Sequence, residues 1–284
     1  MLLSGSMSAA FLYGLVILSA IAHATWNAMM KSAGDRTLTM IAIRAVGLVI
    51  GLAALPFVDW PDAAGWKWLA ATSVVQFAYY ALLIRSYDIG DMSVVYPLSR
   101  GLAPVLTTIA AFLFAGELLS AGHLVAVALI SLGIMVLSFR SGASGAAVGF
   151  ALATGASVAA YSFLGGMGVR AAGTVLGFQA CLEIVNGCGM VWFALATRRR
   201  AFATYIVANR GVCLLAGLMS VLGFVAFLIA AKVLPLGPTT ALRETSVIFG
   251  ALIGALVLKE GFGLRRIVAA TLVVAGIAVL ATLH

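Results

Sequence analysis

Ser93–Glu117 reads SVVYPLSRGLAPVLTTIAAFLFAGE, and Leu236–Glu260 reads LGPTTALRETSVIFGALIGALVLKE. Arg100 corresponds to Arg243, Glu117 to Glu260 and, beyond them, Gly133 to Gly276, always at an offset of 143 residues. Each copy is an apolar run with one arginine about two turns inside it and a glutamate at its end. Charges that recur at fixed spacing on an apolar background mark a duplicated unit. In lipid such a duplication places two helix sets around a central site.

The composition requires that environment. Of 284 residues 63% are hydrophobic and 9% charged, against roughly 45–50% and 25% in an ordinary globular domain. A spanning helix takes about 20 apolar residues, so ten of them leave only short turns and no room for a soluble domain. The net charge of +8 does not call for nucleic acid, because the basic residues gather at helix ends and in turns, as in Arg198–Arg200 and Lys259, Arg265 and Arg266. Cys181, Cys188 and Cys213 lie within apolar runs without metal-type spacing and read as packing residues. Ala22-His23-Ala24 resembles a cleavage site, yet no basic residue precedes it and the helix runs on to Lys31, so an uncleaved first span is expected.

Apolar runs between turn signals predict spans near Ala9–Met30, Thr37–Val58, Trp66–Tyr87, Ser93–Phe114 and Ser120–Phe139 in residues 1–140. A second set follows near Ala146–Val169, Thr174–Thr197, Ala208–Ala231, Leu236–Leu258 and Phe262–Leu283 in residues 146–284, across a small-residue joint at 141–145. The expected fold is an all-α membrane protein of ten transmembrane helices in two five-helix repeats. Five is odd, so the second set must face the opposite way, an inverted repeat with its site near mid-depth. Counting Lys and Arg in the turns places both termini outside the cell. Glycine pairs four apart, Gly47/Gly51, Gly173/Gly177 and Gly250/Gly254, are expected to let helices within the chain pack closely.

Polar residues inside a span face the bundle or a cavity, since lipid cannot satisfy them. Ser19, His23, Trp26, Asn27 and Met30 share one face of the first helix; Thr72, Gln76, Tyr79, Tyr80 and Leu83 share one of the third; Tyr96, Arg100, Ala103 and Thr107 share one of the fourth. The second half presents Thr154, Tyr161 and Ser162, then Gln179, Glu183 and Asn186, then Phe224 and Phe227, then Thr240, Arg243, Ser246 and Gly250. These predict a mostly apolar, ring-rich cavity with few hydrogen-bonding groups. Trp26, Gln76, Tyr79, Tyr80, Tyr96, Tyr161, Phe224 and Phe227 form its expected wall. Arg100 and Arg243 either offer a carboxylate a fork of donors or pair internally with Glu183 or Glu244. Pro97, Pro104, Pro235 and Pro238 are expected to loosen the backbone beside each arginine. His23, Glu183 and Glu244 are candidates for coupling or gating, whereas Glu117 and Glu260 read as helix N-terminus residues.

The run Pro104-Val105 through Gly116-Glu117 to Gly133, with Trp26-Asn27 and Lys31 at the end of the first helix, resembles the drug/metabolite transporter superfamily in its ten-helix EamA-type form. The second unit departs from that pattern: Val247 stands at the proline position, Lys259 precedes the glutamate, and the Trp-Asn pair reads Tyr161-Ser162. The resemblance implies a basket of ten helices in a bacterial inner membrane, exporting amino acids or other small metabolites, with no cofactor and no ATP. It implies cytoplasmic termini, against the charge count. Among relatives the chain is most similar to exporters of aromatic amino acids, with a multidrug or other metabolite carrier as the alternative.

The expected function is therefore alternating-access transport of a small molecule by a monomer or weak homodimer in a lipid bilayer, with no nucleic-acid partner. A membrane-embedded enzyme would need clustered acids, a metal set or a nucleophile with its base, and the spans show none of these spacings. A passive channel would line a continuous pore with polar rings, whereas the polar stripes here are short and end in aromatic residues.

Overall fold

Caps and glycines set the helix boundaries in this computed structural model, which describes residues 8–89, 92–138, 144–250 and 263–283. Glu260, Lys259, Gly254, Arg140, most of the joint at 141–145 and the end of the ninth expected span lie outside the described residues. The helices are α1 (Ala9–Ser32), α2 (Arg36–Ala54), α3 (Ala63–Ile89), α4 (Met92–Ala115), α5 (Ala121–Val136), α6 (Gly145–Ala171), α7 (Val175–Thr197), α8 (Arg199–Ala208), α9 (Arg210–Val233), α10 (Leu236–Glu244) and α11 (Leu264–Ala281). Among the described residues there is no strand.

Ser8, Asp35, Ser120, Ser144 and Thr174 each accept a backbone N–H three residues on, which starts α1, α2, α5, α6 and α7 where their sequences turn apolar. Gly116, at φ 65°, reverses the chain after α4 so that the Glu117 N–H reaches the Ala111 carbonyl at 3.1 Å. Among the described residues eight helices are long and apolar enough to cross a membrane. Their outward faces expose Leu18, Val49, Val74, Phe114, Leu132, Trp192 and Leu222, the reverse of a water-soluble surface. The apolar α5 has 16 residues, about 24 Å of helix at 1.5 Å per residue.

Small residues bring the two halves together. On α2, Gly51 lies against the Ala180 carbonyl of α7, while Gly187 of α7 lies against the Arg44 carbonyl and Leu48, so the two helices run antiparallel. Gly133 of α5 meets Ala269 and Val273 of α11, and Gly276 meets Ile130 and the Ala126 carbonyl, again antiparallel. The α4/α10 pair has the same sense, with Gly237 against Thr108 and Glu244 against Arg100. Side against side, α3 packs along α6 through Ser86 and Thr154 at 2.9 Å, and α1 packs along α9, where Ser19 donates to the Gly223 carbonyl. Gly47 and Gly51 do serve packing within the chain. Gly173 does not, because at φ 71° it forms the turn before α7.

These directions gather Arg36, Arg85, Arg198, Arg199, Arg200, Arg210, Arg265 and Arg266 at one end of the bundle and Lys67, Arg170 and Lys232 at the other. At the first end lies α8, a ten-residue helix within a stretch that reads as a turn because its charges come first. Only Phe202 of it is buried. At the opposite end Glu117 pairs with Arg170 at 2.6 Å and accepts the Leu236 N–H at 2.9 Å. Glu117 thus caps α10, not the helix that follows it in sequence.

Candidate functional site

Regular hydrogen bonding in the ninth expected span lapses at Thr245. Its N–H reaches Leu242 at 3.3 Å, as does its hydroxyl at 2.7 Å, and helix resumes over 246–250. Thr245 keeps helical dihedrals (φ −58°, ψ −11°), so the lapse is a tightened turn, tolerated because it is buried in protein. Arg243 and Glu244 stand at the last turn before it. α4, by contrast, is one helix through Pro97 and Pro104, so the expected loosening there takes a milder form. Pro97, the sixth residue of α4, lacks the N–H that would bond the Ser93 carbonyl, and Pro104 the one that would bond the Arg100 carbonyl, and the helix runs on through both. Pro235 and Pro238 fall at the start of α10, where proline fits.

The Glu244 carboxylate lies between two guanidiniums. Arg100 Nη1 donates to its Oε2 at 3.1 Å, and Arg243 Nη2 and Nε donate to its Oε1 at 2.7 and 3.2 Å. Arg100 Nη2 also donates to the Tyr79 hydroxyl at 3.0 Å, and Arg243 Nη2 to Ser162 at 2.9 Å. The Arg243 guanidinium lies 4.2 Å from the Phe227 ring centre, and Arg100 lies 5.2 Å from that of Tyr96, each a cation over an aromatic face. Of the two readings open for these arginines, the structure shows the internal pair with Glu244.

A second cluster joins α2, α7 and α9. Arg44 Nη1 lies 3.2 Å from Glu183 Oε2, and its Nη2 donates to Ser220. Gln179 donates to Glu183 Oε1 at 2.7 Å. Beside them Gln76 Oε1 accepts from Tyr80 at 3.3 Å and from Asn186. Aromatic rings bridge the two clusters: Tyr79 and Tyr161 have centres 5.2 Å apart, and Tyr161 and Phe224 6.0 Å.

Between the clusters is a cavity of about 40 Å³ lined by His23, Trp26, Met40, Arg44, Gln76, Tyr79, Tyr80, Tyr161, Ser220 and Phe224. At roughly 10–15 Å³ per water, it holds about three or four waters. A solute the size of an amino acid enters only if the helices part. Six expected wall residues, Trp26, Gln76, Tyr79, Tyr80, Tyr161 and Phe224, line it, as does His23. Tyr96, Arg100, Phe227, Arg243, Glu183 and Glu244 do not. Phe227 lies between Phe224 and Arg243, and Tyr96 lies on Arg100, so both form an outer layer behind the wall. Arg44, Met40 and Ser220 are lining residues that the stripes did not include. A signal for Arg44 exists: residues 39–51, TMIAIRAVGLVIG, hold one cation in mid-span, where a charge needs a reason.

Residues 10–139, the first helix set, match the EamA-like transporter family. No curated protein matches the chain. One solved crystal structure is 17% identical, with 97% of this chain and 96% of the other covered and a TM-score of 0.76. At that identity the likeness concerns the fold.

Proposed function

We propose that the protein is a secondary transporter of the EamA-like type, moving a small organic solute through the cavity between its helix sets by alternating access. The observation that carries this reading is the cavity itself. Residues of α1, α2 and α3 face residues of α6 and α9 across it, so relative motion of the sets would open it to one side or the other. The match of residues 10–139 to a transporter family supports the same reading.

The architecture that goes with it is ten spans in two inverted five-helix repeats. Antiparallel packing of α2 on α7, α4 on α10 and α5 on α11 supports that reading, since each pair joins helices of equal rank in the two sets. Exchange of the sets also turns the α3/α6 contact into the α9/α1 contact, and both are present. The membrane we assign is the bacterial inner membrane, and the solutes are amino acids, aromatic ones foremost, moved outward. Rings of Trp26, Tyr79, Tyr80, Tyr161 and Phe224 would stack on such a solute.

Reconstitution into vesicles tests this. Labelled aromatic amino acids should cross faster than in empty vesicles, and equal rates would remove that substrate class. Tyr80→Ala should lower the flux at unchanged yield of folded protein, whereas an unaltered flux would return Tyr80 to a packing role.

A further inference from the structure

Among the groups that line the cavity donors outnumber acceptors, with His23, whose Nε2 has no partner, able to serve as either. Tyr79 accepts from Arg100 at 3.0 Å and Tyr161 from Arg243 at 3.5 Å, which leaves each phenol proton to be donated elsewhere. Gln76 uses its carbonyl oxygen on Tyr80 and Asn186, so its N–H groups remain. Arg44 adds a guanidinium whose Nε has no partner. Neither glutamate reaches the lining.

Charge points the same way. The buried ionic groups among the described residues are Arg44, Arg100, Arg243, Glu183 and Glu244. Arginine does not deprotonate, so these groups carry at least one positive charge in excess, in a region where an unbalanced charge is unfavourable. The excess sits in the Arg100–Arg243–Glu244 cluster, which meets the cavity through the Tyr79 and Tyr161 hydroxyls, so its field attracts an anion there and repels a cation without either touching the guanidiniums. The free space of about 40 Å³, room for about three or four waters, admits an anchoring group in this contracted state before the helices part for the remainder.

We propose that the cavity is a carboxylate site, which recognises an aromatic acid by its anionic oxygens and stacked rings and offers an ammonium group no carboxylate to pair with. This deepens the transport reading and rests on it for a solute entering the cavity at all. It follows that an aromatic acid without an amine binds at least as well as the amino acid of the same skeleton.

Three probes that share one skeleton decide this: 3-phenylpropanoate, phenylalanine and phenethylamine, titrated against the detergent-purified protein by thermal shift. 3-Phenylpropanoate should raise the Tm at least as much as phenylalanine does, and phenethylamine should not raise it. Tyr79→Phe and Tyr161→Phe keep the rings, and each should weaken 3-phenylpropanoate roughly tenfold, the usual loss of one hydrogen bond to a charged acceptor. Stabilisation by phenethylamine equal to that by the acid, no stabilisation by any probe, or unchanged affinity in both variants would overturn the proposal. Vesicle flux separates the two readings. Flux without discrimination between acid and amine defeats the carboxylate site alone, while discrimination without flux defeats the transport reading and keeps the site.

Discussion

The two buried ionic clusters use the same residue types for different ends. In the first, Arg100 and Glu244 are both 0% exposed and Arg243 is enclosed by Phe227, Phe224 and Tyr161. In the second, Arg44 opens onto the cavity, and Ser220 and Gln179 take part of the hydrogen bonding that rings take in the first. The first has two cations to one carboxylate and sits where α10 ends; the second is balanced and spans three helices, α2, α7 and α9. What separates them is access to the cavity. A sealed cluster can only hold α4 to α10, whereas an accessible one can also meet a guest.

The sharpest test of that contrast is Glu244→Gln. It leaves two guanidiniums buried with no carboxylate, and removing one partner of a buried pair is strongly destabilising, by about 3–5 kcal/mol. We expect a large fall in Tm of the purified protein, or failure to obtain it folded, with no rescue by added carboxylate because the cluster is closed. A mild effect would mean that the first cluster is as accessible as the second.

Glu183→Gln should have a smaller effect, about 1–3 kcal/mol for the unsatisfied groups it leaves, because Arg44 can turn to water in the cavity. Rescue is the discriminating readout. An added aromatic acid should recover part of the lost Tm in Glu183→Gln and none in Glu244→Gln. Equal rescue of both, or of neither, would abolish the distinction between them.

The sequence makes the first cluster visible and shows only the carboxylate side of the second, for a physical reason. Arg100 and Arg243 recur at one offset, so each supports the other, and a carboxylate next to Arg243 is an evident partner. Arg44 has no such echo: the residue 143 positions on is Gly187, and in the fold that glycine lets α7 close on the Arg44 backbone. The residue at the repeat offset therefore serves packing at that place rather than charge. The spans were legible because an apolar run in lipid leaves few alternatives. α8 was not, since Arg198–Arg200 reads as the turn that precedes it, and the lapse at Thr245 carries no proline or glycine to announce it. Six residues of the stripes line the cavity, yet helical spacing alone cannot tell a residue on the cavity from one a layer behind it, where Tyr96 and Phe227 lie.

The smallest expected effect concerns Ser220, which occupies one nitrogen of Arg44. In membrane proteins a side-chain hydrogen bond contributes about 0.6 kcal/mol on average, so Ser220→Ala should lower Tm only slightly. It also frees a guanidinium N–H beside the cavity, where Arg44 already has an unpartnered Nε. If the second cluster is the accessible one, removing this internal acceptor leaves 3-phenylpropanoate with one competitor fewer, and its affinity should hold or rise although the protein is less stable. A serine whose hydroxyl bound the solute directly would give the opposite sign, with affinity and stability falling together. The two directions are separable in one titration of thermal shift against ligand concentration.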